Sequence, residues 1–424
     1  MSPVELRIEG IAAGGAGVGR AADGRAVFVQ RTAPGDRITA ELVEQKPRWG
    51  RARLLRVVEA GPGRRDAPCR YYARCGGCTL EHLEYAAQLD AKRTLVRDAL
   101  ARIGGLQLPA APAIVGSPLE FRYRNRVSFT LLRVGGRVFA GFHELDRPGR
   151  ILDVGGACLL PEAPIAHAWD ALRRGWGQGA RLLPGGRTLR LTLRASVAGE
   201  VTLLVEGGTG GDASALRTAV PQLAAVWHRA RPGAAAVLQA GAATIPELWQ
   251  EEALTLSGAL FLQVNRGAAA LLEQHVLGLV GRADGLQVVD AYCGVGLHAR
   301  RLARQGAQVT GLELDPHAIA VARADAPAGA EFRAGRVEDL LPGALPADLV
   351  ILNPPRAGVD AAAIEALLGA APARLIYISC DPATLARDLA RMAPRYRLQS
   401  LRCFDLFPQT SHVESVAELA CSTT

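Results

Sequence analysis

Between residues 286 and 392 the chain alternates short apolar runs with helix-patterned stretches, and this rhythm limits the fold more than any other feature. Leu286–Ala291, Gln308–Glu313, Asp348–Asn353 and Arg374–Ser379 read as strands. Between and after them, Leu297–Gln305, Pro316–Ala324, Ala361–Leu368 and Pro382–Met392 read as helices. Strands separated by helices pair in parallel, which predicts an α/β, doubly wound sheet. Ligands of such sheets bind beyond the carboxyl ends of the strands. Residues at those ends therefore carry the search for function.

The first of these strands runs into Tyr292-Cys293-Gly294-Val295-Gly296, a glycine turn that lets a ligand approach the backbone. The second ends at Glu313, where a carboxylate can accept hydrogen bonds from ribose hydroxyls. The third glycine of the dinucleotide fingerprint is missing, and the shortened pattern suits S-adenosylmethionine better than NAD. The strand after those ends in Asn353-Pro354-Pro355-Arg356, a rigid loop at the same edge. The next ends in Ser379-Cys380-Asp381-Pro382, which puts Cys380 at the mouth of a helix. A helix amino terminus favours thiolate, so Cys380 is a candidate nucleophile; a lone cysteine is also often core filler.

Upstream the texture differs. Residues 1–60 form short alternating strands broken by glycine turns, the pattern of a small β-barrel. A strand near Ile38–Val43 leads into a basic one over Lys46–Val58. Residues 61–255 hold a linker, a cysteine cluster, a helix over Tyr85–Ile103 and a mixed α+β region with strands at Arg126–Leu132, Arg187–Leu193 and Glu200–Val205. Residues 256–424 contain the doubly wound unit. Hydrophobic residues at 49% and charged residues at 21% exclude a disordered chain. No segment reads as a signal peptide or membrane span, which predicts a soluble, cytoplasmic protein, and nothing requires more than a monomer.

The formal charge is +8, which favours an anionic partner. Nine basic residues against two acidic ones lie between Lys46 and Arg74. Arg122-Tyr123-Arg124-Asn125-Arg126 is a second basic candidate for nucleic acid, with an aromatic between arginines. Cys69, Cys75 and Cys78 are closely spaced, and Cys158 completes four thiolates. Four cysteines in a reducing compartment suit zinc or an iron–sulfur cluster, and the spacing alone does not choose.

The series Phe261-Leu262-Gln263-Val264-Asn265, Asp290–Gly296, Asn353–Gly358, Ser379-Cys380-Asp381-Pro382-Ala383-Thr384-Leu385 and Phe407-Pro408-Gln409-Thr410-Ser411-His412-Val413-Glu414 resembles the RNA uracil-carbon-5 methyltransferase family, motif by motif and in family order. The resemblance implies a Rossmann-like S-adenosylmethionine-dependent domain behind an amino-terminal TRAM barrel and a central α+β domain. It implies Cys380 as nucleophile and Glu414 as base. Gln263, Tyr292, Glu313 and Asn353 fall on cofactor positions, with Gln263 and Asn353 also within reach of a uracil edge. Asn353 replaces an aspartate common in the family, Leu297 replaces a polar residue, and Arg336 lies near a further contact. The Cys-x5-Cys-Gly-Gly-Cys segment with Cys158 matches the members that carry a [4Fe–4S] cluster. The implied substrate is RNA, with 23S ribosomal RNA favoured and transfer RNA the alternative. An amino-group methyltransferase fits less well, since it needs no cysteine and prefers an aromatic where Arg356 stands. A non-catalytic RNA-binding protein would leave Cys380 and Glu414 without purpose.

Overall fold

The computed structural model describes residues 3–249, 252–258, 260 and 262–422. Phe261, the first residue of one motif above, lies outside the described residues. Three sheets and a hairpin organise the chain.

The first sheet is a closed barrel of strands Pro3–Ile11, Gly17–Arg20, Ala26–Val29, Arg37–Gln45 and Trp49–Glu59, with the last two exchanged in spatial order. Leu6, Ile8, Val27, Val29 and Ile38 fill it from alternate strand positions. The basic strand begins at Trp49 rather than Lys46. Register then sets Arg51 opposite Glu44 and Arg53 opposite Glu41, and both pairs form ion pairs. Arg64 closes on the buried Asp36 at 2.6 Å. Much of the basic run is thus neutralised within the fold.

The second sheet has seven strands in the order Val237–Gly241, Leu223–Arg229, Val201–Glu206, Thr188–Ala195, Arg126–Val134, Arg137–His143 and Ile151–Asp153. Helices Ala163–Gly175 and Ala213–Ala219 cover one face, where Phe129, Leu191, Leu193, Leu203 and Trp169 form the core. The hairpin Ile245–Trp249 and Glu252–Leu256 follows. Glu247 ties it to Arg194 and Arg266, and Glu252 to Arg300.

The third sheet has eight strands in the order Ala330–Ala334, Gln308–Glu313, Gln287–Ala291, Leu349–Leu352, Arg374–Ser379, Glu414–Cys421, Tyr396–Phe404 and Ala113–Val115. The first five are parallel, and four of them, all but Ala330–Ala334, match the strands of the predicted doubly wound unit. The antiparallel pair Tyr396–Phe404 and Glu414–Cys421 did not stand out in the sequence, nor did strand Ala330–Ala334 or helix Arg266–Val280. The edge strand Ala113–Val115 comes from before the second sheet. Helix Tyr85–Arg102 also buries Val96 and Leu100 in the core of this third sheet. The central sheet is therefore inserted between two parts of one folded unit.

Candidate active site

Parallel register lines up the ligand edge. Ala291 pairs with Leu312 on one side and Leu352 on the other, so the next residues, Tyr292, Glu313 and Asn353, emerge side by side. The Asn353 amide donates to Ala291 O at 3.2 Å. The turn that follows needs left-handed backbone at Tyr292 (φ 64°), Gly294 (φ 57°) and Gly296 (φ 77°). A Cβ at Gly296 would lie 2.4 Å from the Phe332 ring, whereas one at Gly294 would meet open space above the strand ends. Glu313 braces this turn. Its Oε2 accepts from the Gly294 amide at 3.0 Å, and its Oε1 accepts from the Asp315 amide at 2.9 Å. Each oxygen keeps a lone pair for a second donor, as a ribose diol requires.

Gln263 lies on the loop before helix Arg266–Val280, which Asn265 caps by accepting from the Ala268 amide at 3.1 Å. The Asn125 side-chain amide holds the Gln263 carbonyl at 2.9 Å. Beneath the glycine turn is a group the sequence reading quoted without assigning a role. Asp290 is fully buried, accepts from the Ala299 amide through Oδ2, and keeps Oδ1 without a partner. Burial pushes its carboxyl up to about 6. An acid interrupting an otherwise apolar buried strand was the available signal.

The chemistry-bearing pair comes from antiparallel register. Ser379 pairs with Ser415, so the next step brings Cys380 opposite Glu414. Cys380 precedes Asp381, which caps helix Pro382–Met392 by accepting from the Ala383 and Thr384 amides at 2.9 Å. The surroundings of the thiol work against the lowering expected from this helix. Burial and then the Glu414 charge push Cys380 up, against Arg356. The Asp381 carboxylate already occupies the helix amino terminus, and its own charge adds to the rise. Glu414 is 4% exposed, and burial pushes it up to about 7, with Arg356 opposing. A base poised there exchanges protons readily near neutral pH.

The charge of Arg356 thus acts on both groups. Its loop is seated on the helix that follows Cys380. Thr384 Oγ1 donates to Arg356 O at 3.0 Å, Arg387 to Ala357 O at 2.7 Å, and the Val359 amide to Asp388 Oδ2 at 2.9 Å. Gly358 (φ 84°) makes this seating possible, because a Cβ there would lie 2.3 Å from Asp388 Oδ2. His412 stands beside the site, driven down to about 4 by burial and by Arg356, Arg124 and Lys92. It is a neutral ring at physiological pH.

The segment leading to Glu414 is also the joint of the molecule. Lys92 and Asp405 form a fully buried ion pair, and Lys92 also donates to Phe407 O at 3.0 Å. Tyr123 donates to Pro408 O at 2.9 Å. Gln409, buried at φ 70°, offers its carbonyl to the Thr79 and Leu80 amides at 2.9 and 3.0 Å. Those amides follow Cys78 directly, which links the cysteine segment to the base-bearing strand.

Cys69, Cys75, Cys78 and Cys158 line one cavity with Tyr71, Phe142 and Leu160. Burial raises all four thiols, Cys158 to about 12. Backbone amides turn toward the sulfurs, as from Gly77 to Cys75 Sγ at 3.3 Å. Among the described residues no three His, Cys, Asp or Glu side chains converge closely enough to hold a single metal ion.

Three family models match the chain. A tRNA (Uracil-5-)-methyltransferase model covers residues 330–420, a methyltransferase-domain model 289–353, and a TRAM-domain model 2–55. An uncharacterized RNA methyltransferase of Gloeobacter violaceus is 35% identical, over 98% of this chain and 96% of that protein. One from Halalkalibacterium halodurans is 33% identical, over 98% and 96%.

The chain belongs to the RNA methyltransferase family.

The solved tRNA (uracil-54, C5)-methyltransferase of Pyrococcus abyssi, in complex with S-adenosyl-L-homocysteine, superposes on this RNA methyltransferase with a TM-score of 0.76 at 26% identity, covering 98% of this chain and all of that one. The S-adenosylmethionine-dependent fold and the TRAM-like barrel are thereby established for it. The first model spans Asn353, Cys380 and Glu414; the second spans Tyr292, Glu313 and Asn353. Two arginines of the expected nucleic-acid segment turn inward in this RNA methyltransferase. Arg122 donates to Cys158 O at 2.7 Å, and Arg124 packs on Tyr123. Among the described residues no helix is long and apolar enough to cross a membrane.

Proposed function

We propose that the enzyme methylates carbon 5 of a uridine in RNA through a covalent adduct between Cys380 and carbon 6. The observation that carries this reading is the pair Cys380 and Glu414 on adjoining strand ends, next to the row of Tyr292, Asn353 and Glu313. Bound S-adenosylmethionine supplies an electrophilic methyl on sulfur. Carbon 5 of uracil is too weak a nucleophile to take it directly. Attack of the Cys380 thiolate on carbon 6 moves the electron pair onto carbon 5 and the carbonyl at position 4, and carbon 5 then takes the methyl as its bond to sulfur breaks and S-adenosylhomocysteine leaves. Glu414 removes the remaining carbon-5 proton, and the returning electron pair expels the thiolate. The charge of Arg356 opposes the rise in both pKa values. Glu313 and the Gly294 turn fit the ribose, and Tyr292, Asn353 and Gln263 line the approach. A uridine in a duplex hides carbon 6, so the base must be flipped or come from a loop.

Cys69, Cys75, Cys78 and Cys158 are proposed to hold a [4Fe–4S] cluster. The methylation requires no redox step, so its role is to brace the segment that meets Gln409. 23S ribosomal RNA is the favoured substrate, from the combination of barrel and four cysteines. Transfer RNA is the second reading, supported by the Pyrococcus abyssi enzyme.

The test is methyl transfer from labelled S-adenosylmethionine to unmodified ribosomal and transfer RNA, with protein purified without oxygen and Cys380→Ala beside it. Label in 5-methyluridine with the wild type alone is expected, and the labelled pool identifies the substrate. Label in methylated adenosine or cytidine would overturn the reading. Iron and sulfide analysis of the same preparation tests the cluster.

A further inference from the structure

One line along helix Tyr85–Arg102 is fully buried: Gln88, Lys92, Val96 and Leu100, each one turn from the next. Val96 and Leu100 enter the core of the third sheet. Gln88 and Lys92 are buried just as deeply but are polar, so each requires a partner. One stretch supplies both. It is Asp405–Gln409, in the connection between strands Tyr396–Phe404 and Glu414–Cys421. Lys92 takes Asp405 and Phe407 O. Gln88 and Gln409 hold each other reciprocally. Gln88 Oε1 accepts from the Gln409 amide at 2.9 Å, and Gln88 Nε2 donates to Gln409 Oε1 at 2.9 Å and to Leu83 O at 3.0 Å.

Gln409 is a non-glycine residue at φ 70°, a conformation that persists only where the surroundings enforce it. Gln88 supplies two of the enforcing bonds, and Arg65 and Glu120 complete the set around the side chain. From this turn a short run of bonds leads to the base. Thr410 Oγ1 donates to Phe407 O at 2.8 Å, and the His412 amide donates to Thr410 Oγ1 at 3.4 Å. Glu414 then begins its strand opposite Phe404. Its carboxyl has no hydrogen-bond partner among the described residues. The backbone that carries Glu414, and the packing around it, therefore set where the carboxyl lies.

We propose that Gln88 is a positioning residue for the base: through Gln409 it holds the Phe407–His412 turn so that Glu414 reaches the carbon-5 proton. The inference rests on the RNA-uridine reading above. Attack by Cys380 and transfer of the methyl group use residues outside this turn. Only the last step needs Glu414, in which the carbon-5 proton passes to its carboxylate and the electron pair left behind expels the Cys380 thiolate. Loosening the turn slows that step selectively, and enzyme collects as the methylated covalent adduct. A helix that precedes the central sheet in the chain thereby governs a step carried out near the far end of it.

The experiment uses the full enzyme, purified without oxygen, and an unmodified RNA transcript that the wild type methylates. Gln88→Leu and Gln409→Gly are compared with the wild type and with Glu414→Gln. The readouts are kcat, KM for RNA and for S-adenosylmethionine, and methyl label retained in a covalent RNA–protein band on a denaturing gel. Gln88→Leu removes both bonds to Gln409. Gln409→Gly removes the side chain that Gln88 holds and adopts φ 70° freely, so it gives a reading even where Gln88→Leu folds poorly. Each variant is expected to lower kcat by ~10–100-fold, the effect of a small misplacement of a reacting group. Both KM values should stay at the wild-type level, and a larger share of enzyme than in the wild type should sit in the labelled band. A role confined to stability would reduce the amount of active enzyme, and turnover and band would fall together. That pattern, or wild-type turnover in both variants, would overturn the proposal. A wild type that forms 5-methyluridine while Glu414→Gln gives no labelled band would sink the assignment of the base instead, and a wild type that methylates no RNA would sink the underlying reading.

Discussion

The two halves of the eight-stranded sheet do different work because their strands run differently. In the parallel half, adjacent strand ends reach the same edge together, so one row of residues is shared between neighbours and a ligand lies across it. In the antiparallel half, one strand ends where the next begins. Cys380, leaving its strand, therefore meets Glu414, entering its own. On the proposed function, the parallel half binds and the antiparallel half reacts. Backbone hydrogen bonds brace the first, through Glu313. Burial sets the second, through the raised pKa values of Cys380 and Glu414.

The sharpest break between the halves is Cys380→Ala. It should abolish turnover while S-adenosylmethionine binding, measured by calorimetry, stays at the wild-type level. Glu414→Gln should lower turnover by ~10²–10⁴-fold and let a covalent RNA–protein species accumulate, visible as a shifted band on a denaturing gel. No shifted band would place proton removal elsewhere. In the wild type, Glu414 must be ionised to act, so its half-ionisation near pH 7 makes activity rise as pH increases through that value. Cys380 lies above its ordinary range, so the rise should continue at higher pH. The glutamine variant should lose the lower limb of this profile.

On the binding side, Glu313→Gln removes a charged acceptor worth ~1.5–3 kcal/mol. It should weaken S-adenosylmethionine by ~10–100-fold, with the pH profile of methyl transfer unmoved. The smallest effect expected is that of Gly358→Ala, which joins the two halves through the Arg356 loop. Left-handed backbone at a non-glycine residue costs ~1–3 kcal/mol, and the close approach to Asp388 adds to it. Denaturant titration should show the loss, and a wild-type midpoint would mean that the loop is not seated as described.

The glycine turn and acidic strand end of the binding half were legible in the sequence; of the reacting half only Cys380 was, and Glu414 came by resemblance alone. A glycine turn followed by an acidic strand end is a local pattern, read within Tyr292–Glu313. The opposition of Cys380 and Glu414 is a register between segments far apart in the chain, and no local periodicity encodes it. The thiol shows the same limit. Its helix position was readable, but burial, Glu414 and the Asp381 cap reverse the expected effect. The basic segments follow suit. Composition marks Arg51, Arg53 and Arg64 as free charge, and only the fold reveals the carboxylates that meet them.

The edge strand Ala113–Val115 waits for Arg402–Phe404. At ~5–20 residues per second of synthesis, that interval lasts roughly 15–60 s. Throughout it, helix Tyr85–Arg102 lacks the core it packs against, and Lys92 lacks Asp405. The central sheet, contiguous in the chain, can fold in the meantime. The nascent protein thus passes through a stage with its middle complete and its beginning unsheltered. The stretch that ends this exposure, Tyr396–Cys421, also delivers Glu414. Shelter for the beginning of the chain and the proposed base therefore arrive together, with the same stretch.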